Sequence, residues 1–94
     1  MDSYKEAIIS KLTLDDVLLL GILYENDATI THKAMRKKLI LEKSNLTDSR
    51  YKKSLYRLTG GYLIDTVSGI TEQKLFLTNE GYKATEIKLE GDEC

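Results

Sequence analysis

The feature that most restricts the fold of this 94-residue sequence is a change of side-chain period at Gly60-Gly61. Before the glycines, four residues recur at helical spacing within one arc of about 100°, which gives a helix one buried face: Tyr51, Ser54, Leu55 and Leu58. After them, residues 62–67 and 74–77 are rich in β-branched, aromatic and aliphatic side chains and flank a Ser-Gly turn, which predicts a β-hairpin. Because glycine tolerates the left-handed conformation that closes many helices, we expect Gly60-Gly61 to end the helix.

Threonines that follow an aliphatic residue mark four helix starts, since threonine is a good N-cap and the aliphatic residue can pack as a hydrophobic staple. The predicted helices run over residues 13–24, from Thr31 to about Leu41, over residues 47–59, and from Thr78 to about Leu89. In the second of these helices we expect Met35 and Leu39 to be buried. A short leading helix is predicted over residues 4–11, and a short third strand at Thr29-Ile30.

Basic residues are concentrated in the middle of the chain. Residues 31–57 hold nine bases and two acids, net +7, whereas residues 1–30 (two bases, six acids) and 58–94 (three bases, seven acids) each carry −4. This segregation creates a directional field. In the helix over 47–59 every base lies off the buried face. An exposed basic helix preceded by a second basic helix is suited to entering the DNA major groove while its neighbour contacts phosphates. Ordinary solvent exposure is the alternative for each base.

Two segments carry a family resemblance. Residues 55–64 (LYRLTGGYLI) resemble the end of a recognition helix that passes through a glycine turn into the first wing strand of winged helix-turn-helix regulators of the MarR, PadR and ArsR type. Residues 74–81 (KLFLTNEG) are similar to the second wing strand and the start of the last helix, and the whole match covers about residues 12–89. The resemblance implies an α+β, mainly α fold: a three-helix core with a β-hairpin wing and extra N- and C-terminal helices. The chain length predicts one domain over residues 1–94, and the polar run over residues 90–94 predicts a flexible tail.

The resemblance also implies sequence-specific binding to double-stranded DNA, transcription regulation and a homodimer. Carried over by position, base reading falls to four side chains: Ser49, Arg50, Lys53 and Tyr56. Phosphate binding falls to eight residues: Thr31, His32, Lys33, Arg36, Lys37, Lys52, Arg57 and Lys74. Backbone N–H groups at the helix start predicted near Thr31 add donors. The dimer interface falls to apolar residues of the two flanking helices: Tyr4, Ile8, Tyr82, Ile87 and Leu89. Alternatively, both flanking helices pack onto their own domain.

The predicted wing departs from the usual pattern. Its tip over residues 68–73 holds Glu72 and no base, so insertion into a minor groove is not expected. The connection over residues 42–46 is longer than a tight helix-turn-helix turn and is similar to that of PadR-like members. The base-free tip and the acidic flanks favour an alternative function, a winged-helix module that binds another protein without reading DNA directly.

No catalytic chemistry is predicted. His32 is the single histidine and lies at a predicted helix start, without a nucleophile in the required context. Gly60-Gly61 precedes a strand rather than a helix and so does not form a phosphate-cradling loop. Asp15 and Asp16 diverge by about 100° on a helix and cannot act as a paired acid and base. We therefore expect a protein that is not an enzyme and has no metal or cofactor, and the sequence identifies no small-molecule effector.

Cysteine content and hydropathy favour the cytoplasm. Cys94 is the single cysteine, which excludes an internal disulfide and indicates a reducing setting. It is either an exposed thiol or half of an intermolecular disulfide across a dimer. The longest apolar stretch, residues 17–24, is far shorter than the roughly 20 residues that span a bilayer. Residues 1–6 lack the basic start of a signal peptide, so secretion and membrane insertion are not expected.

Overall fold

The computed structural model describes residues 12–68 and 72–91, and side chains up to Lys88. Within these ranges the chain forms four α-helices and one antiparallel sheet of three strands in the order β1-β3-β2. The elements are α1 (Leu14–Glu25), one 3-10 turn (Thr31–Lys33), β1 (Met35–Arg36), α2 (Lys37–Ser44), α3 (Asp48–Gly60), β2 (Ile64–Ser68), β3 (Gln73–Leu77) and α4 (Asn79–Gly91). The predicted α+β, mainly α fold with a hairpin wing, β2 and β3, is confirmed. The leading helix predicted over residues 4–11 and the predictions for Cys94 lie outside the described residues.

Three of the four predicted helix starts are confirmed, because each threonine hydroxyl accepts a backbone N–H that has no partner inside its helix. The distances from threonine Oγ1 to backbone N are 3.2 Å for Thr13 and Asp16, 3.3 Å for Thr47 and Arg50, and 3.0 Å for Thr78 and Gly81. At α1 the carboxylate of Asp16 also accepts from the N–H of Thr13 at 3.1 Å, which completes a capping box. At the other end of the chain, α4 continues past its predicted end at Leu89 to Gly91.

The predicted start of the second helix at Thr31 is wrong. Residues 31–33 form a single 3-10 turn without a side-chain cap, and α2 begins at Lys37. Between them Met35 pairs with Leu75 and Arg36 with Lys74, so this segment is the third strand of the sheet rather than Thr29-Ile30. Pairing with β3 extends the backbone here and overrides the local helix signal.

The buried face of α2 differs from the prediction in the same way. Met35 is buried as expected, but from a strand. Leu39 is 40% exposed, whereas Ile40 is completely buried and Ser44 nearly so. Because α2 begins later than predicted, residues 40 and 44, one turn apart, form the face that contacts the core.

The end of α3 shows a second correction, since neither Gly60 nor Gly61 adopts a positive φ. The left-handed residue is Tyr62, with φ of 62°. The N–H of Tyr62 donates to the carbonyl of Thr59 at 3.1 Å, and the N–H of Leu63 donates to the carbonyl of Leu58 at 3.0 Å. These two bonds are those of a Schellman motif, which turns the chain from α3 into the wing.

The core is organised around α1, which packs against α2, α3, α4 and β3. Leu19, Leu20 and Leu23 of α1 are at most 1% exposed. Leu58 of α3 and Leu77 of β3 are equally buried, and each such side chain stabilises the fold by about 1.5–3 kcal/mol. With one face docked on this core, α3 lies at the surface and presents its other face to solvent.

Candidate nucleic-acid interface

The two faces of α3 separate as the sequence predicts. The four residues of the buried face are confirmed as buried: Tyr51, Ser54, Leu55 and Leu58. The opposite face exposes the side chains of Ser49, Lys52, Lys53 and Tyr56. Tyr56 is 79% exposed, and Lys53 has no acidic partner within 4 Å among the described residues. This exposed face is therefore cationic and aromatic and is free to contact a partner.

Arg57 is engaged with α1 through a buried carboxylate. Asp16 is completely buried and accepts from Arg57 Nε at 3.0 Å and from Arg57 Nη2 at 2.9 Å. The hydroxyl of Ser54 also donates to Asp16 in a short hydrogen bond, and the N–H of Thr13 donates on the helix-start side. With 42% of its side chain exposed, Arg57 bridges α3 to the first turn of α1. The sequence reasoning placed it among the phosphate contacts, and a role in holding α3 was missed.

The Asp16 cluster predicts how stability depends on pH. Burial raises the pKa of the Asp16 carboxyl, but hydrogen bonds from Arg57, Ser54 and Thr13 outweigh burial and hold the pKa below its usual value. Because the folded pKa lies below the unfolded one, near 4, ionised Asp16 stabilises the fold above that pH. This stabilisation is lost as the pH falls through the folded pKa.

Asp16→Asn is expected to lower the free energy of unfolding at pH 7 by about 2 kcal/mol, because the amide leaves Arg57 without its counter-ion and disrupts a charged hydrogen-bond cluster. Below the folded pKa of Asp16, the difference between the unfolding free energies of the variant and the wild type should become smaller. Thermal unfolding of both proteins from neutral to acid pH measures this difference. Asp48→Asn, at an exposed ion pair with Lys52, is the control and should change stability by less than about 0.5 kcal/mol. A difference in unfolding free energy that stays constant with pH would contradict stabilisation of the fold by the ionised Asp16 carboxylate.

Arg50 is engaged with the other acidic residue of the same turn. Its Nε donates to one carboxylate oxygen of Asp15 at 3.0 Å and its Nη2 donates to the other at 2.6 Å. The contact is bidentate, and it raises the pKa of Arg50 through the hydrogen bonds and charge of Asp15. Together, Asp15 and Asp16 hold both arginines of α3 on the side that faces α1.

Of the other residues predicted to bind phosphate, three form exposed ion pairs, and two others lie in a 3-10 turn rather than at the predicted helix start. The ion pairs are Lys33–Asp27 at 2.8 Å, Arg36–Glu72 at 2.9 Å and Lys52–Asp48 at 3.2 Å. Such surface pairs contribute little to stability, so their bases can be recruited by another anion. Thr31 and His32 lie in a single 3-10 turn rather than at the start of an α-helix, so the helix N-terminus predicted to bind phosphate there is not formed. Lys74 is exposed on β3, next to Arg36 on β1.

A groove of about 250 Å³ lies between α3 and the sheet. It is lined by Lys37, Lys52, Leu55, Tyr56, Thr59, Thr66 and Leu75. Lys37, at the start of α2, donates to Gln73 Oε1 at 3.1 Å, and its backbone carbonyl accepts from the hydroxyl of Tyr51. Burial raises the pKa of Tyr51 to about 12, so this hydroxyl remains a donor. The sequence does not predict Thr59 and Thr66 as part of this groove, because they come together only when the wing packs beside α3 and no local sequence pattern indicates that contact.

Comparison with known proteins places the chain in a family through sequence identity to a relative, since no family model matches the sequence. It is 36% identical over 86 residues to the DNA-binding protein TubR of Priestia megaterium, covering 92% of this chain and 85% of that protein. The chain belongs to the TubR family. The solved structure of TubR from Bacillus megaterium pBM400 superposes with a TM-score of 0.89 at 35% identity, covering 92% of this chain and 96% of that one.

More distant structures share the fold of this TubR-family protein. The Staphylococcus aureus MepR–DNA complex matches with a TM-score of 0.74 at 20% identity, covering 96% of this chain and 72% of that one. The homodimeric winged helix-turn-helix domain of Mb0332 from Mycobacterium bovis, a possible ArsR-family regulator, matches with a TM-score of 0.70 at 15% identity, covering 96% and 81%. The winged helix-turn-helix assignment made from the sequence is thus confirmed.

Membership of the TubR family agrees with the prediction that the protein is not an enzyme. Among residues 12–68 and 72–91, no group of His, Cys, Asp and Glu side chains is arranged to hold a metal ion. No helix in those ranges is long and apolar enough to cross a membrane.

The structure describes part of the predicted dimer interface. Tyr82 and Ile87 are both exposed on α4, and the ring of Tyr82 lies 5.1 Å from that of Tyr24, centroid to centroid. The α4 helix therefore packs on α1 of its own domain and still leaves apolar surface uncovered. Tyr4, Ile8 and the side chain of Leu89 lie outside the described residues.

Proposed function

We propose that this TubR-family protein is a transcription regulator that binds double-stranded DNA sequence-specifically, with the exposed face of α3 in the major groove. The observation that carries the proposal is that face itself: Ser49, Lys52, Lys53 and Tyr56 project from a helix whose other face is anchored in the core. Lys53 is positioned to donate to guanine acceptors, and Ser49 can contact any base. We place this activity in the cytoplasm.

Phosphates of the DNA backbone are proposed to lie along the groove between α3 and the sheet. Lys37 and Lys52 supply positive charge on its walls, and the hydroxyls of Thr59 and Thr66 can donate hydrogen bonds. Arg57 is proposed to orient α3 through Asp16 rather than to bind phosphate. The cationic surface thus consists mainly of lysines from α2 and α3, with Lys74 on the wing.

We further propose that the protein binds DNA as a homodimer through its flanking helices. Exposed Tyr82 and Ile87 on α4 support this proposal. A two-fold dimer places two α3 helices on successive major grooves of one face of the duplex, about 10 base pairs apart. The spacing of recognised half-sites therefore reports the assembly directly.

Selection of bound duplexes from a random pool tests these proposals together. We expect enrichment of one sequence motif, repeated with two-fold symmetry about one helical turn apart. With roughly six phosphates neutralised per protomer, a plot of the logarithm of the binding constant against the logarithm of salt concentration should have a slope near −5 per protomer, or about −11 for the dimer. Binding of the pool without enrichment of a motif would contradict sequence-specific reading, and no binding at low salt, or binding that does not change with salt, would contradict DNA binding. Enrichment of a single, unrepeated half-site would contradict only the proposed dimer and would leave DNA binding supported.

The second candidate function is a winged-helix module that binds another protein. It is favoured by Leu14, which is almost fully exposed on α1, and by the pairing of the wing residue Glu72 with Arg36, which offsets a base. Charge reversal on α3 separates the two candidates, because it removes duplex binding and leaves a contact made by α1 or the wing intact.

A further inference from the structure

Arg50 holds Asp15 with one edge of its guanidinium and leaves the other edge free. The occupied edge is formed by Nε and Nη2, each of which donates to a different oxygen of Asp15. The end formed by Nη1 and the second hydrogen of Nη2 has no acceptor among the described residues, and 61% of the Arg50 side chain is exposed. An arginine held in this way can still make a second bidentate contact.

The carboxylate of Asp15 is a fixed support rather than a mobile counter-ion. Its side chain is 17% exposed, and it lies in the first turn of α1, where the helix dipole favours negative charge. The neighbouring Asp16 contacts lock the same turn against α3. Arg50 lies in the first turn of α3, the part of a recognition helix that approaches base edges.

We propose that Asp15 is a positioning residue that orients Arg50 to read a guanine. The free end of the guanidinium matches O6 and N7 of guanine, the pair of acceptors that arginine contacts most often in the major groove. Holding the side chain in one rotamer before binding removes part of the entropy cost of this contact. It also keeps Arg50 from reaching for the nearest phosphate, which carries no sequence information. The inference rests on the proposed function of α3.

Asp15→Asn tests the inference on the selected duplex and on the same duplex with each G·C pair of the motif changed to A·T. In the wild type we expect one guanine per half-site whose replacement weakens binding about tenfold or more. Asp15→Asn should reduce this discrimination to less than about threefold, while affinity for a duplex of unrelated sequence rises, since a negative charge is lost and Arg50 can reach phosphates. A purely structural loss would weaken binding to all duplexes alike.

Two further variants keep the result interpretable. Arg50→Lys, which cannot make the bidentate contact, should lose discrimination at the same guanine, and adding Asp15→Asn to it should change that discrimination no further. Glu80→Gln on α4 removes one negative charge elsewhere and should leave the discrimination intact. Unchanged discrimination in Asp15→Asn, or a different position affected by Arg50→Lys, would overturn the inference and leave the proposed function standing. If the wild type binds no duplex, the proposed function itself fails.

Discussion

Gly81→Ala will lower the free energy of unfolding by about 2–3 kcal/mol or more, although alanine is the better helix former by about 1 kcal/mol. Gly81 is buried in the first turn of α4. A Cβ atom there would overlap the carbonyl oxygen of Leu63 and lie 2.8 Å from its carbonyl carbon and 3.2 Å from Leu77 Cδ2. Because the first two of these atoms belong to the backbone, no side-chain rotation relieves the clash, and α4 must move away from the turn that follows α3.

Gly21→Ala is the matched control for this prediction. Gly21 also lies within a helix, α1, but a Cβ atom there meets nothing within 4 Å. This substitution should stabilise the protein by about 0.5–1 kcal/mol, since only the backbone entropy and helix propensity change. Urea or thermal unfolding of the two variants measures both effects. Similar changes in stability for the two alanine variants would show that α4 does not approach Leu63 as closely as described.

The same contacts explain why a Thr-x-x-Gly sequence opens α4. The hydroxyl of Thr78 donates to the carbonyl of Tyr62 at 2.6 Å and accepts from the N–H of Gly81 at 3.0 Å. The N–H of Thr78 donates to the carbonyl of Leu63 at 3.1 Å. Threonine and glycine at these two positions therefore join the turn after α3 to the start of α4, and so fix the C-terminal end of the candidate recognition helix.

Features that depend on neighbouring residues in the chain could be predicted from the sequence. The starts of α1, α3 and α4 follow from threonine caps that act within three residues, and the buried face of α3 follows from its period. The end of α3 was predicted at the correct place but with the wrong residue in the left-handed region. Tyr62 adopts that conformation because the Schellman hydrogen bonds and the turn into β2 determine it.

Features that depend on distant residues could not be predicted. Strand β1 is two residues long and forms because Met35 pairs with Leu75, about 40 residues further along the chain. The local residue pattern contains no sign of this pairing and indicates a helix instead. In the candidate site, the period of α3 predicts that Arg50 and Arg57 lie off the buried face, but not that each contacts an aspartate of α1. Those carboxylates are 35 and 41 residues away in the chain. The acidic turn that orients α3 is therefore a property of the packed structure.

Lys53→Glu is expected to weaken binding to the selected duplex by about a hundredfold, the largest loss from one substitution on the exposed face of α3. Lys53 has no acidic partner among the described residues, so the wild-type charge is fully available to DNA. The glutamate removes that attraction and adds repulsion in each protomer. The salt dependence should also become less steep, by about one unit per protomer, because one fewer counterion is released.

Arg57→Glu is not suited to this test, because its carboxylate would face buried Asp16 and unfold the protein. The matched control is Lys83→Glu on α4, which makes the same change in net charge on an exposed residue outside α3. It should weaken binding by less than about threefold at physiological salt, since charges beyond a Debye length are screened. Circular dichroism establishes that both variants are folded, and light scattering establishes that both keep the oligomeric state of the wild type, since Lys83 lies on the helix proposed to form the dimer. Equal losses of affinity in the two variants would show that only the net charge of the protein matters and not the position of Lys53 on α3. Unchanged affinity in Lys53→Glu would exclude the exposed face of α3 from the DNA contact.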